Sequence, residues 1–162
     1  MKRIHTIYGG DMRYLALLCM MILTSSCALL PSGAAPYSRA AEPPQGHVNV
    51  YIYRINAYPL LRAPSIIIDG QPIFDPPQNA YTVITLPEGK HELLVDWAWD
   101  TAPDFKFSFH IATGSPLYIR VSSGEGGTKK GLFTTVAKVV DPSQAESELR
   151  ACCRLVTPHN KN

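Results

Sequence analysis

His91–Asp100 (HELLVDWAWD) and Phe105–Ile111 (FKFSFHI), joined by Thr101-Ala102-Pro103-Asp104, decide how this chain folds. In the first stretch Leu93, Val95, Trp97 and Trp99 alternate with Glu92, Leu94, Asp96, Ala98 and Asp100. In the second, Phe105, Phe107, Phe109 and Ile111 alternate with Lys106, Ser108 and His110. Apolar residues at every second place line one side of an extended chain, so both predict strands of a sheet with one wet face. The same period appears in His47–Ile55, where Val48, Val50 and Ile52 oppose Asn49, Tyr51 and Tyr53, and in Leu117–Ser122. Ser65–Asp69, Ala80–Leu86 and Leu132–Val140 are further β-rich runs.

Turn signals separate these runs: Asp69-Gly70 suits positive φ, Pro87-Glu88-Gly89 stops a strand, and Thr113-Gly114-Ser115-Pro116 parts two others. Short strands punctuated in this way predict a small two-sheet antiparallel β-sandwich. Asp141-Pro142-Ser143 followed by AESELRACC predicts a short carboxy-terminal helix, with proline at its first turn. The fold class is therefore mostly β.

The 162 residues are 46% hydrophobic and 17% charged, with 14 prolines and 11 glycines. That is too apolar for a disordered chain and too rich in Pro and Gly for a helical bundle. Of 15 basic and 13 acidic residues, Lys2, Arg3, Arg13 and Asp11 precede residue 27, leaving twelve of each sign beyond it. A neutral remainder without a basic block excludes a nucleic-acid footprint.

Residues Tyr14–Leu23 (YLALLCMMIL) are uncharged and mostly apolar, and directly follow Met12-Arg13. Ten residues cannot span a bilayer, which takes about 20. A basic start, an apolar run and then small residues is the layout of an export signal, here residues 1–26, with Met12 the expected start of translation. Leu23-Thr24-Ser25-Ser26-Cys27 resembles the lipobox of bacterial lipoproteins. The resemblance implies cleavage between Ser26 and Cys27, a diacylglyceryl thioether on Cys27 and acylation of the new amine. Two or more chains hold a protein essentially permanently, since each buried methylene contributes about 0.8 kcal/mol. Ala28 follows the cysteine; by resemblance to diderm lipoproteins this implies sorting to the outer membrane, with the domain facing the periplasm. An ordinary secretory signal with an incidental cysteine is the alternative.

Ala28–Gly46 (ALLPSGAAPYSRAAEPPQG) has no apolar periodicity and reads, with Cys27, as an extended, disordered tether of residues 27–46. At about 3.1 Å per residue it would set the domain some tens of ångströms from the bilayer. The folded unit is expected over residues 47–153, with 154–162 a tail.

Val50-Tyr51-Ile52-Tyr53-Arg54, Ile66-Ile67-Ile68-Asp69-Gly70 and Leu86-Pro87-Glu88-Gly89-Lys90-His91-Glu92-Leu93 together are similar to a family of short bacterial lipoproteins known only as a domain of unknown function. The order D-G then P-x-G-x-H also resembles PEGA-type modules, which are prealbumin-like β-sandwiches. The resemblance spans roughly Gly46–Val140, leaves Asn56–Pro64 and Asp75-Pro76-Pro77 unmatched, and implies a fold but no catalytic residues.

Nucleophile-elbow, phosphate-loop and HExxH patterns are absent from the sequence, and no cofactor is implied. Gly124, Gly126 and Gly127 sit between strands, with Lys129 and Lys130 as solvated charges. His91 is expected to satisfy a local backbone hydrogen bond, and would join His110 in a metal site only if neighbouring strands aligned them. Asp96, Asp100 and Asp104 surround a turn and read as loop carboxylates rather than a calcium site. Trp97 and Trp99 belong to the core by alternation; the competing reading makes them a sugar-stacking ligand surface. Cys152 and Cys153 are free structural thiols, locally bridged, or joined to a partner in an oxidising compartment. The sequence thus points to a non-enzymatic binding or scaffolding module, anchored in the membrane and partnered by an envelope protein or cell-wall component; a periplasmic glycan- or small-ligand-binding protein is the alternative.

Overall fold

The computed structural model describes residues 34–57, 62–97, 104–112, 114–123 and 134–159. In chain order they form β1 (His47–Arg54), β2 (Ser65–Ile68), β3 (Gln71–Phe74), β4 (Ala80–Pro87), β5 (Gly89–Asp96), β6 (Phe105–Ile111), β7 (Leu117–Ser123), β8 (Thr135–Val139), α1 (Pro142–Cys152) and β9 (Arg154–Leu155). Two sheets result, a five-stranded one in the order β8-β7-β1-β4-β9 and a four-stranded one in the order β3-β2-β5-β6. Their facing sides make the core. Val50, Ile52, Ile119 and Val121 from the first sheet meet Ile66, Ile68, Leu93, Val95 and Trp97 from the second. All but Ile66 and Ile68, which belong to a β-rich run without assigned faces, are residues the alternation selected, and each buried aliphatic side chain contributes about 1.5–3 kcal/mol.

The expected antiparallel sandwich is corrected in one respect: the five-stranded sheet is mixed. β1 pairs antiparallel with β4 but parallel with β7, and β9 lies parallel to β4. Period-two alternation marks which side of a strand is apolar and carries no information on the direction of its neighbour. β7 arrives from the other sheet and pairs with β1 after a long crossover, the connection that parallel pairing requires.

Asp69 (φ 49) and Gly70 (φ 77) both take left-handed backbone, making the two-residue turn between β2 and β3. β3 itself escaped the sequence reading because Pro72 lies in it. It is an edge strand with a register irregularity between Ile66 and Ile67 of its partner, where a missing amide donor is tolerated. Asp141 caps α1 by accepting from the Ser143 amide at 2.9 Å, with Pro142 directly after it as expected.

The anticipated wet face of β1 is not wet: every residue from Val48 to Arg54 is buried. Ala145 and Leu149 of α1 cover part of that outer face. The remainder is covered by residues 34–46, the stretch expected to be a disordered tether. Pro36 bridges to Arg154, the Leu155 amide donates to the Ala35 carbonyl at 2.9 Å, and the Val156 amide reaches the Tyr81 carbonyl at 2.8 Å. The folded unit therefore extends past residues 47–153 at both ends, since the supposed tail supplies β9.

Candidate functional site

Strand register builds a tyrosine platform on the outer face of the five-stranded sheet. Tyr51 of β1 pairs with Tyr118 of β7, and Tyr53 of β1 with Tyr81 of β4. Tyr51 and Tyr118 stack with ring centroids 4.9 Å apart. Tyr37, from the amino-terminal strap, stands edge-on to Tyr51 at 5.9 Å and to Tyr81 at 5.6 Å. The strap is proline-rich and cannot form a continuous ladder, so phenol oxygens take that role. The Ala40 amide donates to Tyr51 Oη at 2.8 Å and the Ser38 amide to Tyr81 Oη at 3.3 Å, while Asn49 Nδ2 donates to the Ala41 carbonyl at 2.7 Å.

Two carboxylates of α1 complete the arrangement. Glu146 Oε1 accepts from Arg39 Nε at 2.8 Å and from the Tyr118 hydroxyl at 3.0 Å, and its Oε2 accepts from Arg150 at 3.0 Å. Burial alone would push the Glu146 carboxyl up; the hydrogen bonds from Arg39 and Tyr118 and the charges of Arg39 and Arg150 outweigh it and hold it below its ordinary value. Glu148 accepts from the Tyr53 hydroxyl at 2.6 Å, Arg120 at 2.6 Å and Gln144 at 2.8 Å, and is held down in the same way against burial. Burial and the neighbouring carboxylates push the Tyr53 and Tyr118 phenols up, so both stay neutral. Sequence reading missed this network. Tyr51 and Tyr53 on a supposedly wet face, and Tyr37 and Arg39 in an Ala/Pro stretch, were the available signals.

A groove of ≈ 530 Å³ opens between the strap and the start of β1, lined among others by Arg39, Pro43, Pro44, His47, Asn49 and Ser115. Its size suits a small molecule; of its lining, Arg39 and Asn49 Nδ2 are engaged in holding the strap. Asn49 Oδ1 accepts from Thr85 Oγ1 at 3.1 Å, and His47 Nδ1 lies 3.2 Å from the Gln45 carbonyl.

The D-G … P-x-G-x-H motif is a brace between turns. Asp69 Oδ1 accepts the Glu92 amide at 2.9 Å, Asp69 Oδ2 lies 2.6 Å from His91 Nδ1, and His91 Nε2 lies 3.0 Å from the Pro87 carbonyl. Gly89 closes the turn at φ 133, a conformation other residues avoid. β5 and β6 pair His91 with Phe109 and His110 with Lys90, so the two histidines point to opposite faces. Asp69→Ala is expected to destabilise the domain by about 1 kcal/mol, because a half-exposed acceptor of two hydrogen bonds is lost; urea denaturation reads the effect.

Trp97 is 4% exposed, donates to Thr135 Oγ1 at 2.9 Å and carries the Arg54 guanidinium 5.3 Å above its ring. It is core and presents no surface to a ligand; Trp99, like Asp100, Ser26 and Cys27, lies outside the described residues. Burial and then Asp104 push the Asp96 carboxyl up, and no group of three metal-ligating side chains occurs among the described residues. Cys152 and Cys153 are joined to each other. Of the three alternatives the sequence left open, the structure has the local bridge: Cys152 ends α1 while Cys153 is already extended (φ -109, ψ 148), so the bridge straddles the helix boundary. No helix among the described residues is long and apolar enough to cross a membrane.

No family model, curated protein or solved structure matches the chain.

Proposed function

We propose that this chain is a lipid-anchored envelope module, held by a diacylated Cys27 in the outer membrane with its β domain in the periplasm, acting by binding or scaffolding rather than catalysis. The observation that carries this reading is the run Leu23-Thr24-Ser25-Ser26-Cys27 at the end of a ten-residue apolar segment. Its two-sheet fold and the Asp69–His91 brace suit the resemblance to short lipoproteins and PEGA-type modules. The groups with shifted pKa values support the non-catalytic part: Glu146, Glu148, Tyr53 and Tyr118 are spent on fastening α1 and the strap to the sheet.

Growth with radiolabelled palmitate tests the anchor. The wild type is expected to carry label and to sediment with membranes, and Cys27→Ala to lose both. Label that persists in Cys27→Ala, or a wild type with an unmodified thiol and its leader attached, overturns the reading.

A further inference from the structure

We infer that the Cys152–Cys153 bridge is an exchange site for a dithiol reductant, and that its reduction releases β9 and the start of the strap from the sheet. The inference does not depend on the lipidation of Cys27. A bridge between adjacent residues closes almost no loop, so it restrains the unfolded chain little and its effect is local. Cys153 is fully buried in the cluster that holds Tyr51, Tyr53, Tyr81, Tyr118 and Leu149, and its amide donates to the Leu149 carbonyl at 2.9 Å. The next two amides reach other segments. Arg154 donates to the Asn79 carbonyl at 3.0 Å and Leu155 to that of Ala35 at 2.9 Å, while Pro36 bridges back to Arg154. The end of α1, the β3–β4 connection and the start of the strap therefore all meet within three residues of the bridge.

Two thiols take more space than the bridge that joins them, because unbonded sulfurs must part to van der Waals contact. The tyrosine cluster around Cys153 is close-packed and gives no room, so the change is taken up along the chain toward Leu155. β9 is the element least able to resist it. It is two residues long, lies at the sheet edge and pairs with β4 only through Ala80 and Tyr81. Cys152 is half-buried, which gives an incoming thiolate its side of the pair to attack. Attack on Cys152 Sγ forms a mixed disulfide and breaks the bridge, and Cys153 Sγ leaves with the electron pair and takes a proton. The reductant's second thiolate then attacks its own sulfur in the mixed disulfide, and Cys152 leaves and is protonated. Two electrons and two protons pass to the cysteine pair, and the dithiol ends as a disulfide.

The test compares the full chain before and after treatment with dithiothreitol, without denaturant. Alkylation of Cys152 and Cys153, read by peptide mass, reports whether the bridge has opened. Amide hydrogen exchange reports the consequence. On reduction the Arg154, Leu155 and Val156 amides, and the Ser38 and Ala40 amides that donate to Tyr81 and Tyr51, are expected to exchange at least about tenfold faster. Those of β5 and β6 should keep their rates. Cys152→Ser, which cannot form the bridge, is expected to show the fast pattern with or without dithiothreitol. A bridge that stays closed to dithiothreitol in the folded protein overturns the exchange site. An opened bridge with unchanged exchange at residues 154–156 and in the strap would mean that Cys152 swings aside alone, and overturns the release. A rise shared equally by β5 and β6 overturns it too, since the bridge would then hold the whole domain. Slow exchange in Cys152→Ser does the same.

Discussion

Replacing Arg54 by alanine is expected to lower the stability of the domain by about 4 kcal/mol, at the upper end of what a single substitution does. Arg54 ends β1 and is fully buried. Its Nη1 donates to the carbonyls of Arg62 at 2.6 Å and Pro76 at 2.9 Å, and its Nη2 to that of Ala57 at 2.7 Å. One guanidinium therefore pins the β1–β2 and β3–β4 connections to each other and to Trp97, 5.3 Å away. Burial lowers its pKa to about 10, which leaves it charged at neutral pH. Alanine removes the donors while the Ala57 and Pro76 carbonyls stay inside, each costing about 1–3 kcal/mol unpaired, and adds a cavity beside Trp97. Lysine is expected to rescue little, because one ammonium cannot reproduce a planar fork aimed at three oxygens. Methionine fills the volume without the donors and should fall between. Urea denaturation midpoints read all three; an alanine cost below about 1 kcal/mol would show that water replaces the guanidinium.

Arg54 also marks where the sequence stopped being legible. The motif Tyr-x-Tyr-Arg was visible, and alternation placed Val50 and Ile52 in the core correctly. Alternation would put Arg54 on that same inward side, where a charge reads as an anomaly until its backbone acceptors are known. Those acceptors lie on the segments that carry no periodicity, Asn56–Pro64 and Asp75-Pro76-Pro77. The two local brackets, Asp69-Gly70 and Asp141-Pro142, were readable because backbone conformation at a turn or cap is set by a few neighbouring residues. Parallel pairing of β1 with β7, the short edge strands β3 and β9, and the packed strap were not, because each depends on partners distant in sequence. The Ala/Pro composition of residues 34–46 was read as disorder. Composition registers the absence of a ladder, and in this fold tyrosine hydroxyls supply the missing acceptors.

Removal of the Glu146 carboxylate is the second large effect expected, about 2–3 kcal/mol for Glu146→Ala, the magnitude of hydrogen bonds to a mostly buried charge. The substitution takes a shared acceptor from Arg39, Tyr118 and Arg150, so the strap and α1 loosen together from the tyrosine platform. Limited proteolysis near Arg39 should accelerate in step with the loss of stability. The sign of the pH dependence follows from the same contacts. Glu146 and Glu148 both titrate below their ordinary 4.5 in the folded protein. Their stabilisation is present above about pH 4.5 and is lost as pH falls through the lower folded values. Tyr53 and Tyr118 are shifted upward from 10.0, so their contribution is complete below that pH and is lost as pH rises beyond it. A stability plateau between these limits is expected, with an acid limb that becomes shallower in Glu146→Gln, which keeps an acceptor oxygen but no longer titrates. An acid limb unchanged by Glu146→Gln would mean that other carboxylates set the acid transition, and that the strap is held by tyrosine packing rather than by the charge beneath Arg39.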